Sequence, residues 1–216
     1  PHSSCVSDYT TTNLEPCYFG ADYSGARILA IGDSHMNQWV EVIEEVSSEK
    51  ALSIALVSKS ACAIPIVNYN YYALRREYHE CTEWRENLIE YINEYQPTTL
   101  VIQNASVGYA PGSGLRLEEW GEGLRAFMQE IDDEINIVWI LDNPRYPPHT
   151  QSCIEVAMLN GFKGKDCSIK RDSALSSDMR NLERTIAQDF DVSIIDLAGH
   201  FCDDHSCFGI INGVPL

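Results

Sequence analysis

Short apolar runs alternate with segments of helical period along this chain. The run Arg27-Ile28-Leu29-Ala30-Ile31 reads as a first strand, and Gly32-Asp33-Ser34-His35 follows it at once. From Met36 the period turns helical, with Met36, Trp39, Val40, Ile43 and Val46 on one face and Glu41, Glu44 and Glu45 on the other. Ala51 to Val57 predicts a second strand, residues 59–80 a tyrosine-rich loop, and Thr82 to Tyr95 a helix with Trp84, Leu88, Tyr91, Ile92 and Tyr95 inward. Thr98 to Ile102 predicts a third strand, 108–114 a Gly/Pro loop, and Leu117, Trp120, Leu124, Phe127 and Ile131 a third helix. Ile135 to Leu141 predicts a fourth strand and 142–171 a long loop. Asp172 or Ser173 is the expected cap of a helix carrying Leu175, Met179, Leu182 and Ile186, and Val192 to Ile195 the fifth strand. Such alternation predicts a three-layer α/β sandwich around a five-stranded parallel sheet. The strand runs are apolar throughout, as strands covered on both sides should be. Residues 1–26 read as an irregular lead-in and 27–216 as the domain proper.

Composition narrows the class. With 216 residues, 44% hydrophobic and 22% charged, the chain is ordinary globular material. No stretch reaches the roughly 18 apolar residues of a membrane span. The net charge of −17 repels phosphate backbones, so nucleic acid is not an expected partner. The chain starts at Pro1 and ends at Leu216, and it reads as a segment of a longer polypeptide.

Eight cysteines with no C-x-x-C pair point to disulfides and an oxidising compartment. They fall into sequential couples, and nearest-neighbour pairing is the simplest proposal: Cys5–Cys17, Cys62–Cys81, Cys153–Cys167 and Cys202–Cys207. Zinc is the rival reading for His200, Cys202, His205 and Cys207. Against it stand the other cysteines, so the expectation is no metal and no cofactor.

Chemistry in parallel α/β sheets gathers at the carboxyl ends of the strands. Ser34 falls there, between the first strand and a helix, where free N–H groups favour an oxyanion. Gly32 permits the tight turn and Asp33 can hold it through backbone N–H groups. Equally, Asp and Ser are preferred N-caps, and the tetrapeptide alone does not separate catalysis from capping.

The wider pattern resembles a known family. Ile-Gly-Asp-Ser-His after the first strand is similar to the first block of the SGNH (GDSL-type) hydrolase superfamily, and above all to the branch fused to acyltransferase-3 membrane proteins that O-acylate bacterial surface polysaccharides. Cys17-Tyr18-Phe19-Gly20, Ser60-Ala61-Cys62-Ala63-Ile64-Pro65, the Asn143-Pro144 loop and Ile195-Asp196 ahead of Cys202 and Cys207 fit the later blocks. The resemblance covers nearly the whole chain. It implies a flavodoxin-like SGNH hydrolase fold with Ser34 as nucleophile, and it places the domain in the periplasm or on the outer face of a bacterial membrane. It also implies an acyltransferase-3 membrane domain, in the same polypeptide, as acyl source. The family's base and its orienter come from an Asp-x-x-His motif that this sequence does not contain. Either that block lies past Leu216, or Asp203-x-His205 stands in for it; His200, four residues after Asp196, is otherwise a strand-end histidine. For the oxyanion hole the resemblance points to the backbone at Ser60 or Ala61 and to the side chain of Asn104; Val107 stands where this branch often has Trp. His35 reads as a packed helix-start residue, a loop contact or an acceptor contact. Tyr69, Tyr71, Tyr72 and Tyr78 suit either sugar stacking or loop packing. Arg145, Tyr146, Pro147, Pro148 and His149 are candidates for shaping the acceptor cleft.

Three functions are consistent with these residues. The first is transfer of an acyl group, in all expectation acetyl, from a Ser34 acyl-enzyme to hydroxyls of a polysaccharide. The second is a secreted carbohydrate esterase with water as acceptor. The third is a glycan-binding module that kept the fold and lost the chemistry.

Overall fold

A computed structural model describes residues 5–20, 27–106, 115–159, 161 and 167–215. The elements, in chain order, are β1 (Val6–Ser7), β2 (Cys17–Phe19), β3 (Arg27–Gly32), α1 (Ser34–Asn37), α2 (Val40–Glu49) and β4 (Ser53–Lys59). There follow β5 (Asn70–Tyr71), β6 (Arg76–Glu77), α3 (His79–Tyr95), β7 (Thr99–Gln103), α4 (Leu117–Glu130) and β8 (Asn136–Ile140). The remainder comprises α5 (Pro148–Leu159), β9 (Ile169–Lys170), α6 (Arg171–Ala174), α7 (Ser177–Asp189), β10 (Ser193–Ile195), α8 (Ala198–Phe201), β11 (Ser206–Cys207), β12 (Ile210–Ile211) and β13 (Val214–Pro215).

The five expected strands are β3, β4, β7, β8 and β10, and all pair in parallel. Their spatial order is β4-β3-β7-β8-β10. Right-handed crossovers then put the helical segment between β3 and β4 on one face and those leading to β7, β8 and β10 on the other. Order reverses at β3, so a switch point opens at the carboxyl ends of β3 and β7, where ligands of such sheets bind. Ile31 is in register with both Val57 and Ile102 at the centre of the sheet. Leu29, Ile31, Ala55, Leu56, Val57, Leu100 and Ile102 are fully buried. Trp84, Leu88 and Ile92 on α3, and Trp120, Leu124 and Phe127 on α4, supply the helical side of the core.

The lead-in is part of this sheet. β2 runs antiparallel along β4, with Cys17 opposite Leu56, while β1 lies parallel to the end of β4, with Val6 opposite Ser58. Its sequence is too short-ranged in pattern to signal strands of two and three residues. All four nearest-neighbour disulfides are present.

Several boundaries differ from expectation. The first helix breaks at Gln38 and Trp39, so Val46 is exposed and Ser47 is buried in its place. The 142–171 loop contains α5, which starts on Pro148, where a missing N–H costs nothing. It buries Thr150, Ile154 and Ala157 at helical spacing. The cap of α7 is Ser176, whose Oγ accepts from Met179 N at 3.3 Å, and Asp172 and Ser173 lie in the separate turn α6. The 108–114 loop and Val107 fall outside the described residues.

Chain contacts divide the protein into two units, Pro1–Asp142 with Leu182–Ile195, and Asn143–Asn181 with Asp196–Leu216. The sheet belongs to the first. In the second, Ala174, Leu175, Ala198, Cys202 and Cys207 form one small core, and Ile154, Ala157, Cys167 and Ile210 another. Among the described residues no helix is long and apolar enough to cross a membrane.

Candidate functional site

Gly32 ends β3 at φ +156°, and a Cβ there would lie 1.8 Å from the Gln103 carbonyl oxygen. Only glycine lets the two strands approach this closely. Asp33, buried, then caps α1: its Oδ1 accepts from His35 N at 2.8 Å, and its Oδ2 accepts from Ala105 N at 2.9 Å. One carboxylate thus fixes the turn after β3 against the loop after β7. Ser34 is exposed at the first position of α1. The helix-start N–H groups expected to favour an oxyanion are mostly used internally. His35 N bonds the Asp33 side chain, and Met36 N and Asn37 N bond the Asp33 carbonyl.

Donors survive in the neighbouring loops. After β4, Ser60 N donates to Ser7 O at 2.9 Å and Cys62 N to Lys59 O at 3.2 Å. Among the described residues the N–H of Ala61 has no acceptor, and Ala61 itself sits at φ +50°. After β7, Asn104 is buried and its Oδ1 accepts from Ile64 N at 3.1 Å. That bond orients the amide and leaves Nδ2 buried without a partner among the described residues. Buried amide donors are nearly always paired; Gln103 Nε2 and Ser106 Oγ, on either side of Asn104, are likewise left without a partner among the described residues. Of the Ser60 and Ala61 backbone N–H groups, that of Ser60 is occupied and that of Ala61 has no acceptor among the described residues.

His35 is more than a packed helix-start residue. Its Nδ1 lies 2.6 Å from Oδ1 of Asp142, whose side chain is 3% exposed just beyond the end of β8. The sequence reading missed Asp142, although an Asp directly after the apolar run Ile135 to Leu141 was a visible signal.

The tyrosine cluster divides in two. Tyr69 and Tyr78 are buried, with their hydroxyls on the Ala61 and Ser60 carbonyls, so they serve the loop and expose no face for a sugar. Tyr72 is 79% exposed and Tyr71 half-buried. Lys59, at the end of β4, is also buried and donates to the carbonyls of Asp8 and Thr11. Desolvation pushes its ammonium down to about 8.

In the second unit, Asp203 Oδ1 accepts from the backbone N–H groups of His205 at 2.9 Å and Ser206 at 2.7 Å. That is turn-building. Asp196 Oδ1 accepts from Arg180 and from Ala198 N. Cys202 and Cys207 are bonded to each other, which removes both thiolates from the rival zinc reading. Tyr146 donates to Phe208 O at 2.5 Å, and burial pushes its phenol up to about 12. It braces this unit, while His149 is exposed.

A family model described as "SGNH domain (fused to AT3 domains)" matches residues 4–216. No curated protein matches by sequence. Among solved structures, the periplasmic domain of a lipopolysaccharide acetyltransferase from Salmonella ser. Paratyphi A is similar, with a TM-score of 0.62 at 16% identity. The match covers 89% of this chain and 74% of the Salmonella chain. At that identity the likeness speaks for the fold.

Proposed function

We propose that this chain, which belongs to the family of SGNH domains fused to AT3 domains, is an O-acyltransferase domain working through a Ser34 acyl-enzyme. Ser34 Oγ attacks the carbonyl carbon of an acyl donor and gives up its proton to a base. The carbonyl oxygen becomes an oxyanion, which the Ala61 N–H and Asn104 Nδ2 receive. Collapse expels the donor's leaving group, which takes a proton, and leaves the acyl ester on Ser34. A polysaccharide hydroxyl then attacks that ester, loses its proton to the base, and frees the serine. What carries this reading is the pairing, at the switch point, of an exposed serine after β3 with a buried orphan amide after β7.

Serine needs a base steered by a carboxylate. His35 has such a carboxylate in Asp142, through Nδ1, in the same unit as Ser34. His205 and Asp203 belong to the other unit, and Asp203 Oδ1 is committed to backbone. Acetyl as the acyl group and lipopolysaccharide-like glycan as acceptor are supported by the Salmonella relative. An AT3 membrane domain as acyl source is supported by the family description, and an extracytoplasmic site by four disulfides. The exposure of Ser34 also admits water, which is the esterase alternative.

The test is fluorophosphonate labelling of the full chain with peptide mapping, alongside p-nitrophenyl acetate turnover with and without glycan. Label on Ser34, lost in Ser34→Ala, and acetylated glycan exceeding hydrolysis are expected. Hydrolysis alone favours the esterase. Failure of Ser34 to label overturns both.

A further inference from the structure

Among the described residues, the backbone N–H and C=O groups of Ser60 and Ala61 are tied down save one. Lys59 O accepts from Cys62 N at 3.2 Å and Ser60 N donates to Ser7 O at 2.9 Å. Ser60 O accepts from the Tyr78 hydroxyl at 2.9 Å and Ala61 O from the Tyr69 hydroxyl. The Ala61 N–H is left over among the described residues. Ala61 itself stands at φ +50°, a left-handed conformation that alanine avoids unless its surroundings hold it there.

The two phenols are built into the core. Tyr78 is 1% and Tyr69 5% exposed, and their rings meet edge to face at 6.1 Å. Tyr78 N donates to Tyr69 O at 3.0 Å, which fixes the spacing of the pair. The Lys59 ammonium lies 5.5 Å above the Tyr78 ring, and Tyr71 stacks on it at 5.6 Å. The Cys62–Cys81 bridge joins the far end of the same loop to α3.

We propose that Tyr69 and Tyr78 are positioning residues for the oxyanion donor. Their hydroxyls grip the Ala61 and Ser60 carbonyls, hold Ala61 in its left-handed turn, and so aim its N–H at the charge that develops on the acyl oxygen. The tyrosines do not touch substrate. The inference rests on the oxyanion role given to Ala61 and Asn104 above. It adds that a left-handed turn is held on alanine here by side-chain clamping.

Tyr69→Phe and Tyr78→Phe keep each ring; the first deletes the hydroxyl's bonds to Ala61 O and Cys81 Sγ, the second its bond to Ser60 O. In the full chain each is expected to lower kcat for p-nitrophenyl acetate about tenfold with KM within about twofold, since the loss falls on the transition state. Ala61→Gly, introduced into either Phe variant, is expected to restore part of kcat because glycine adopts this turn unaided. A merely structural role for the hydroxyls predicts lowered thermal stability and no such rescue, and that result overturns the proposal. Asn104→Ala separates the two levels. Loss of one donor should cost about 10²–10³ in rate. If Asn104→Ala falls and both Phe variants keep the parent kcat, the clamp is wrong and the oxyanion site stands. If Asn104→Ala is unaffected, the oxyanion reading fails and takes the clamp with it.

Discussion

His35 Nδ1 and Asp142 Oδ1 lie 2.6 Å apart although 107 residues separate them in the chain. Strand order explains the meeting. β7 lies between β3 and β8, so the residues just past β3 and β8 face each other across one strand at the carboxyl edge. The bond ties the turn that carries Ser34 to a buried carboxylate, and it sets the ring so that Nδ1 faces the carboxylate.

Removing that carboxylate should be felt in both rate and stability. Asp142→Ala is expected to cost about 2 kcal/mol, the scale of a charged hydrogen bond lost from a partly buried pair. It should also slow fluorophosphonate labelling of Ser34 by at least about tenfold. Urea unfolding and labelling kinetics measure the two effects. Unchanged labelling in a folded variant removes His35 from the base role.

Asp33→Ala takes away the acceptors of both His35 N and Ala105 N. The lost helix cap costs about 1 kcal/mol, and the Ala105 N–H, left without its acceptor, costs about 1–3 kcal/mol more. Asp33→Asn, which keeps acceptor oxygen, should recover part of this. Equal stability for both variants and the parent would contradict the bridge between the two loops.

Gly32→Ala places a methyl 1.8 Å from the Gln103 oxygen and 3.0 Å from Met36 Cβ. Backbone must move, at a cost of about 3 kcal/mol or more. Because the same motion shifts Ser34, labelling should fall even at temperatures where the variant remains folded. Calorimetry and probe labelling together check this.

The buried Lys59 makes stability depend on pH in a definite direction. Burial lowers its ammonium from 10.5 to about 8, while the Asp8, Glu80 and Glu15 carboxylates pull the other way. Between about 8 and 10.5 the unfolded chain therefore holds more protons than the folded one, and stability attributable to Lys59 rises with pH across that window. Below about 8 the burial cost is present in full. The difference in urea midpoint between parent and Lys59→Met should shift in favour of the parent from pH 8 to pH 10. A constant difference would show that Lys59 does not titrate there.

The sequence by itself determined the five parallel strands, the helices on α3 and α4, the disulfide couples and the position of Ser34. Each of these is written locally: an apolar run, a 3.6-residue period, a neighbouring cysteine, a glycine before a helix. It did not reveal β1 and β2, which are too short to carry a period, or α5, whose leading prolines read as loop. The tertiary structure alone decided which of the candidate polar groups stay available. Asn104 Nδ2 and the Ala61 N–H are left over because Ile64, Ser7, Tyr69 and Tyr78 occupy the groups around them. The same structure chose Asp142 for His35. Hydrogen bonds saturate, and burial makes an unpaired group costly. Which atom remains unpaired therefore depends on all its spatial neighbours, and these come from distant parts of the chain.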